Sequence, residues 1–224
     1  MIRILIADDQ PLIRDGLAVL IDAEADLEVV ARANNGREAV TLAQTHQPDV
    51  VVMDIRMPEI NGIEATAEIR AIESLTQTSI LMLTTFHLDE YVFAALRAGA
   101  SGFLLKDTPL PRLLEAIRVL ASGDALLDPA VTRSFIEQMV QHEGSAPVPV
   151  SLAEPLTSRE MDIWTLIARG LSNNEIAEDL VLSPGTVKTH VHHLLAKLDL
   201  RDRSQLVIAA YESGVVVPGR PKGS

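Results

Sequence analysis

Four short apolar runs in the first half of the chain each end in a polar residue able to do chemistry. Ile4-Leu5-Ile6-Ala7 ends in Asp8-Asp9, Val50-Val51-Val52-Met53 in Asp54, Ile80-Leu81-Met82-Leu83 in Thr84, and Gly102-Phe103-Leu104-Leu105 in Lys106. If these runs are parallel strands, the residues past their carboxyl ends converge on one crevice, at the point where the strand order reverses. That crevice would hold three carboxylates, a hydroxyl and an ammonium. Three like charges repel, so at least one carboxylate must be protonated unless a cation joins them. An oxygen-lined site of this kind suits Mg²⁺, which binds through one or two carboxylates, waters and phosphate oxygens. A carboxylate is a competent nucleophile for phosphoryl transfer once the incoming charge is neutralised. Lys106 would neutralise one phosphate oxygen and Thr84 would donate a hydrogen bond to another.

Each of these residues taken alone has an ordinary alternative. An aspartate pair before a helix is a common cap, and a lone lysine is usually a solvated charge. A metal-dependent phosphatase also starts from an aspartate after a strand. Such an enzyme needs a second acid two residues on to protonate the leaving group, and Arg56 stands there.

The elements that must position the crevice follow from hydrophobic period. Short runs rich in Val, Ile and Leu predict strands at 2–7, 27–33, 50–53, 80–84 and 102–105. Helical patterns lie between them at about 11–23, 36–46, 62–73, 88–98 and 109–121, with Pro11 and Pro109 suited to first-turn positions. This alternation predicts a doubly wound α/β domain over residues 1–121, a flavodoxin-like fold with five parallel strands. Residues 122–155 read as a linker with a helix near 129–142, since 143–155 is rich in Pro, Gly, Ser and Ala.

The remainder, 156–217, reads as all-helical, with a flexible tail at 218–224. Thr157-Ser158-Arg159-Glu160 and Ser172-Asn173-Asn174-Glu175 are capping-box patterns, Gly170 suits a helix end, and Ser183-Pro184 suits a helix start. Helices are expected at about 158–169, 173–180, 184–198 and 204–213. The short turn Val181-Leu182-Ser183 makes the middle pair a helix-turn-helix candidate. On the third helix, Val187, Val191, Leu194 and Leu198 share one side with Leu195 flanking, a core stripe. The opposite side carries Gly185, Thr189, His192, His193 and Ala196, with Lys188 at its edge. Small residues near the start of such a face let a helix enter a major groove, where Lys188, Thr189 and His192 can hydrogen-bond base edges or phosphates.

These motifs carry a resemblance. Residues 1–121 resemble a response-regulator receiver domain on Asp8-Asp9, on Asp54 followed by Met57-Pro58 and Gly62, on Thr84, and on Ala98 through Lys106. Residues 156–217 resemble a LuxR-type helix-turn-helix domain on Leu156 to Glu160, Gly170 to Ser172, Asn174 to Ala177, Leu182-Ser183, Thr186 to His190, Leu195 and Lys197-Leu198. The whole chain resembles the NarL/FixJ family of two-component regulators. The resemblance implies that Asp54 is the phosphoacceptor, served by a partner histidine kinase. It implies Mg²⁺ held by Asp9, Asp54 and the backbone carbonyl of Arg56, with Asp8 assisting through water. Phe103 matches the aromatic switch position, expected to follow Thr84 into vacated space. The family often has Lys-Pro where this chain has Lys106-Asp107.

In the second domain the resemblance adds Thr186, His190 and Lys197 to the DNA-facing set. It implies a homodimer when phosphorylated, through Leu206, Val207 and Ala210 of the last helix. That stripe is equally what an ordinary core-packing helix shows. The expected function is a cytoplasmic, phosphorylation-activated regulator of transcription that binds operator DNA. It would not be an enzyme beyond taking up and slowly hydrolysing its own aspartyl phosphate. The rival is a phospho-dependent switch whose C-terminal helices bind a protein instead of DNA.

Composition agrees with this frame. The chain has 224 residues, 47% of them hydrophobic, and no cysteine, which removes disulfides, thiolate metal sites and cysteine nucleophiles. Met1-Ile2-Arg3 leads straight into a strand without a signal-peptide pattern, and no apolar stretch approaches the length of a membrane helix. Residues 157–224 hold eight Lys/Arg and eight Asp/Glu, so the net charge of −12 belongs to residues 1–156. A polyanionic first domain argues against nucleic acid binding there. The neutral second part should bind DNA weakly as a monomer, because non-specific affinity comes largely from phosphate neutralisation.

The positions flanking the path of an attacking water, two residues after Asp54 and two after Thr84, are Arg56 and Phe86. Both are bulky, and Phe86 cannot orient water. Phe86→Glu is therefore expected to shorten the lifetime of the aspartyl phosphate, followed by loss of radiolabel. An unchanged half-life would show that these side chains do not gate water.

Overall fold

Strands covered on both faces read as near-continuous Val, Ile and Leu, and five such runs build one sheet. The computed structural model describes residues 1–85, 89–122 and 155–216. Its strands are β1 (Ile2–Ala7), β2 (Leu27–Ala33), β3 (Val50–Asp54), β4 (Ser79–Thr84) and β5 (Gly102–Leu105), in spatial order β2-β1-β3-β4-β5. Every neighbouring pair is parallel. The helices between them are α1 (Pro11–Asp22), α2 (Gly36–His46), α3 (Gly62–Arg70), α4 (Asp89–Ala98) and α5 (Leu110–Ala121).

β3, at the centre, is buried at every position, whereas the edge strand β2 is buried only at its two ends. Ile4, Ile6, Val50, Val52, Leu81 and Leu83 pack with Ala18 and Ile21 of α1 and with Leu113, Ile117 and Leu120 of α5. The chain pairs β1 with β2 on one side and with β3 on the other. The switch point therefore lies between the carboxyl ends of β1 and β3, beside Asp8, Asp9 and Asp54.

The chain divides into two units, Met1–Leu126 and Leu127–Ser224. The second contains α6 (Ser158–Ala168), α7 (Asn173–Leu180), α8 (Pro184–Leu198) and α9 (Arg203–Glu212), with α7 packed on α8 and α6 on both α8 and α9. Both expected capping boxes form, at Thr157/Glu160 and Ser172/Glu175, and Ser183 caps α8 with Pro184 in its first turn. Gly170, at φ 85°, follows α6 as the residue that lets its last carbonyls be satisfied: the Gly170 and Leu171 N–H groups donate to Ile167 and Leu166.

Three local expectations change. The helix expected at 62–73 stops at Arg70, and Glu73–Leu75 forms a separate 3₁₀ turn that buries Leu75. The Arg70 guanidinium ties this end down, donating to the carbonyls of Gly99 and Thr78 and to the Ser101 hydroxyl. Pro109 is not the first residue of α5 but its N-cap, with Pro111 inside the first turn. Before α1, Gln10 is the N-cap and gives no side-chain cap; Asp8 Oδ1 instead accepts the Gln10 N–H at 2.9 Å. Residues 123–154 of the linker expected at 122–155, with the helix expected at 129–142, the tail at 218–224 and Phe86 lie outside the described residues. No helix among the described residues is long and apolar enough to cross a membrane.

Val181 ends α7 in the left-handed conformation, φ 55° and ψ 52°, and is 91% exposed. A β-branched residue is unfavourable there, and so exposed a side chain gains no packing in return. Val181→Asn is expected to stabilise the second unit by roughly 1 kcal/mol. Thermal unfolding followed by fluorescence of Trp164, the chain's one tryptophan, measures it. An unchanged or lower midpoint would mean that the turn carries no strain.

Candidate functional site

The strand ends deliver their side chains to one place. Carboxylate oxygens of Asp8, Asp9 and Asp54 all lie within 4.8 Å of one another, with Asp8 and Asp54 buried and Asp9 exposed. Lys106, one residue past β5, reaches between the two buried carboxylates. Its Nζ lies 2.6 Å from Asp8 Oδ2 and 3.1 Å from Asp54 Oδ2, and its side chain is only 7% exposed. The Lys106 N–H also donates to the Thr84 carbonyl at 2.7 Å, which holds the ends of β4 and β5 together. Thr84 and Phe103 are both buried, each 2% exposed. A phenylalanine ring needs no hydrogen-bond partner to be buried, which suits Phe103 to this position.

Two further contacts shape the crevice. Arg14 of α1, which the sequence did not single out, donates to the Asp8 carbonyl at 3.1 Å. Asp54 Oδ1 accepts the N–H of Ile55 at 2.9 Å. Burial pushes the Asp54 carboxyl above its ordinary value and Asp8 adds to the rise, while Lys106 and the Ile55 N–H offset part of it. One ammonium thus leaves the negative charge incompletely compensated, the condition that a divalent cation relieves. The all-oxygen donor set fits Mg²⁺. Arg56, whose carbonyl the resemblance assigns to the metal, lies in the loop that follows Asp54.

On α8 the facing is as read from the sequence. Val187, Val191, Leu194, Leu195 and Leu198 are buried, while Gly185, Thr186, Lys188, Thr189, His192, His193 and Ala196 are exposed. Two members of the expected DNA-facing set stand apart. His190 is half-buried, with Nδ1 enclosed and without a hydrogen-bond partner among the described residues. Lys197 is turned to Glu160, with Nζ 2.9 Å from Oε2. The expected dimer residues are also corrected. Leu206, Val207 and Ala210 are buried, as α9 packs on α6, and the Leu206 carbonyl accepts the Trp164 indole N–H at 2.8 Å. Apolar side chains at that spacing serve a core and a dimer equally well, and here the core takes them.

Glu160 is the residue in this unit whose importance was only half legible. Its place in a capping box could be read, but not its partner 37 residues away. Burial by itself would raise its pKa. The N–H and hydroxyl of Thr157 and the Lys197 ammonium outweigh that and hold the carboxyl down at about 2. A depressed carboxylate gives stability that is full above its unfolded value and is lost as pH falls through the folded one. Unfolding of the second unit, followed by Trp164, is therefore expected to become easier between pH about 4.5 and about 2. Glu160→Gln should flatten that dependence, and an unaltered profile would remove Glu160 from the account.

Comparison with known proteins matches this architecture from end to end. Residues 4–118 match the response regulator receiver domain family, and residues 154–210 match the luxR family of bacterial regulatory proteins. Over 215 residues the chain is 42% identical to an uncharacterized transcriptional regulatory protein of Bacillus subtilis (strain 168), YxjL, covering 96% of this chain and 97% of that protein. It is 40% identical over 222 residues to the transcriptional regulatory protein LnrK of the same strain, covering 97% and 100%. Among solved structures it is similar to the response regulator ChrA of a heme-sensing two-component system, with 34% identity, a TM-score of 0.51, and 96% and 98% of the two chains covered. The chain belongs to the NarL/FixJ family of response regulators, with a receiver domain followed by a LuxR-type helix-turn-helix DNA-binding domain.

Proposed function

We propose that transfer of a phosphoryl group from a sensor histidine kinase to Asp54 controls binding of this chain to operator DNA. The observation that carries the reading is the Lys106 ammonium set between Asp8 and Asp54, beside Asp9, at the switch point of the sheet. A carboxylate oxygen of Asp54 attacks phosphorus in line. The donor's P–N bond breaks as the O–P bond forms, and the departing imidazole takes the electron pair. Mg²⁺, held by Asp9, Asp54 and the Arg56 carbonyl with Asp8 behind a water, would supply charge neutralisation for the phosphoryl oxygens. Lys106 offers its ammonium to a phosphate oxygen and Thr84 its hydroxyl to another. The chain turns over no separate substrate and hydrolyses its own aspartyl phosphate slowly.

Because Thr84 and Phe103 are both buried, the switch is a repacking within the core, between two arrangements that the phosphate contacts bias differently. The output is read by the exposed face of α8, where Thr186, Lys188, Thr189 and His192 meet the major groove. A unit with as many acids as bases neutralises few phosphates by itself. Two copies on one operator supply the missing contacts, which makes a phosphorylated homodimer the binding species. Its contact lies outside the buried Leu206, Val207 and Ala210. Binding to DNA places the protein in the cytoplasm.

Mobility shift of duplex DNA by the full chain, with Mg²⁺ and a small acyl phosphate as donor, tests the reading. The wild type should gain affinity on treatment and Asp54→Asn should not. Lys188→Ala should weaken binding of the treated protein by roughly 1–3 kcal/mol if it reads a base. Equal gain in Asp54→Asn would move the acceptor elsewhere. Failure of treated wild type to retain any duplex would favour the protein-binding switch.

A further inference from the structure

The loop between β3 and α3 carries Arg56, and it is held from outside the crevice by the start of α2. A methyl group placed on Gly36 would lie 2.3 Å from the Ile60 carbonyl oxygen and 2.8 Å from Ile60 Cγ1. The obstructing atom nearest to it is backbone, so it cannot swing aside. Gly36 has no left-handed φ, so its conformation does not call for glycine; the closeness of the loop does. Next to it, the Asn35 side chain works in two directions. Its Oδ1 accepts the Glu38 N–H at 2.7 Å and caps α2, while its Nδ2 donates to Glu59 Oε1 in the loop at 3.0 Å. Glu59 itself is left-handed, φ 68°. The far end of the loop is equally tight: a methyl group on Gly62 would lie 2.0 Å from the Asp54 carbonyl oxygen, and the Gly62 N–H donates to the Ile55 carbonyl at 2.8 Å.

The loop is thus closed on itself at Gly62 and leaned on at Ile60 and Glu59 by α2. We propose that Asn35 and Gly36 are positioning residues of the phosphoryl site, setting the loop so that the Arg56 carbonyl faces the metal. Neither residue touches the carboxylates; both act through the loop. A metal ligand supplied by backbone cannot adjust by changing rotamer, so its placement depends wholly on what holds the loop. The proposal rests on the reading of Asp8, Asp9, Asp54 and Arg56 as an Mg²⁺ site.

The test is Mg²⁺ binding to the full chain by isothermal titration calorimetry, with no phosphodonor, and thermal unfolding in parallel. Gly36→Ala is expected to bind Mg²⁺ about tenfold more weakly or worse, the usual cost of disturbing what supports a metal ligand. Asn35→Asp keeps the acceptor that caps α2 and loses the donor to Glu59. It is expected to weaken Mg²⁺ by about threefold, the scale of the one lost hydrogen bond that reaches the loop; the Nδ2 bond to Asn34 Oδ1, lost with it, is made outside the loop. That sign is informative, because an added negative charge by itself would favour the cation. Glu59→Gln placed in the Asn35→Asp background offers the new carboxylate an amide donor and should restore most of the affinity. Gly16→Ala, at an α1 position with open space around it, should leave Mg²⁺ binding unchanged. If Gly36→Ala fails to fold, Asn35→Asp and its rescue decide. Unchanged affinity in the folded variants, with or without a lower unfolding temperature, overturns the proposal. Absence of Mg²⁺ binding by the wild type overturns the underlying metal reading instead.

Discussion

Confining like charges is the constraint on which the receiver unit depends. Two buried carboxylates and a third at the surface share a space under 5 Å across. A single buried ammonium bridges the inner pair. Burying an ion pair costs desolvation that its attraction only partly offsets, and the raised pKa of Asp54 is the residue of that imbalance. A site left short of positive charge is one that a divalent cation would relieve. The parallel sheet makes this possible, because β3 and β4 bury apolar side chains on both faces and leave polar ones only where the strands end.

The second unit solves a related problem differently. Glu160 is buried too, but three donors meet one of its oxygens, and its pKa falls instead of rising. A charge so fully compensated has nothing left to offer a ligand. It ties the start of α6 to the far end of α8, and so holds the helix that exposes Lys188, Thr189 and His192. Uncompensated charge in one unit and compensated charge in the other separate a reactive site from a structural brace.

Much of this was legible in the sequence. Strand and helix order followed from apolar period, the crevice from what stood at four strand ends, and the inner face of α8 from the spacing of Val187, Val191, Leu194 and Leu198. What was not legible depends on contacts between residues distant in the chain. Lys197 looks like any DNA-facing lysine until Glu160 is found beside it. Leu206, Val207 and Ala210 form a stripe that sequence alone cannot assign to core or surface. Asn35 and Gly36 read as an ordinary helix start, and only the closeness of Ile60 reveals that a loop leans on them.

The central claim is that Asp54 carries the phosphoryl group. An aspartyl phosphate is an acyl phosphate, and borohydride reduces it to the alcohol, which converts that one aspartate to homoserine. Treating the Mg²⁺-loaded full chain with a small acyl phosphate, reducing it, and mapping peptides by mass spectrometry locates the group directly. Homoserine at position 54 alone is the result this account predicts. Homoserine at position 8 or 9, or at none of the three, would contradict it.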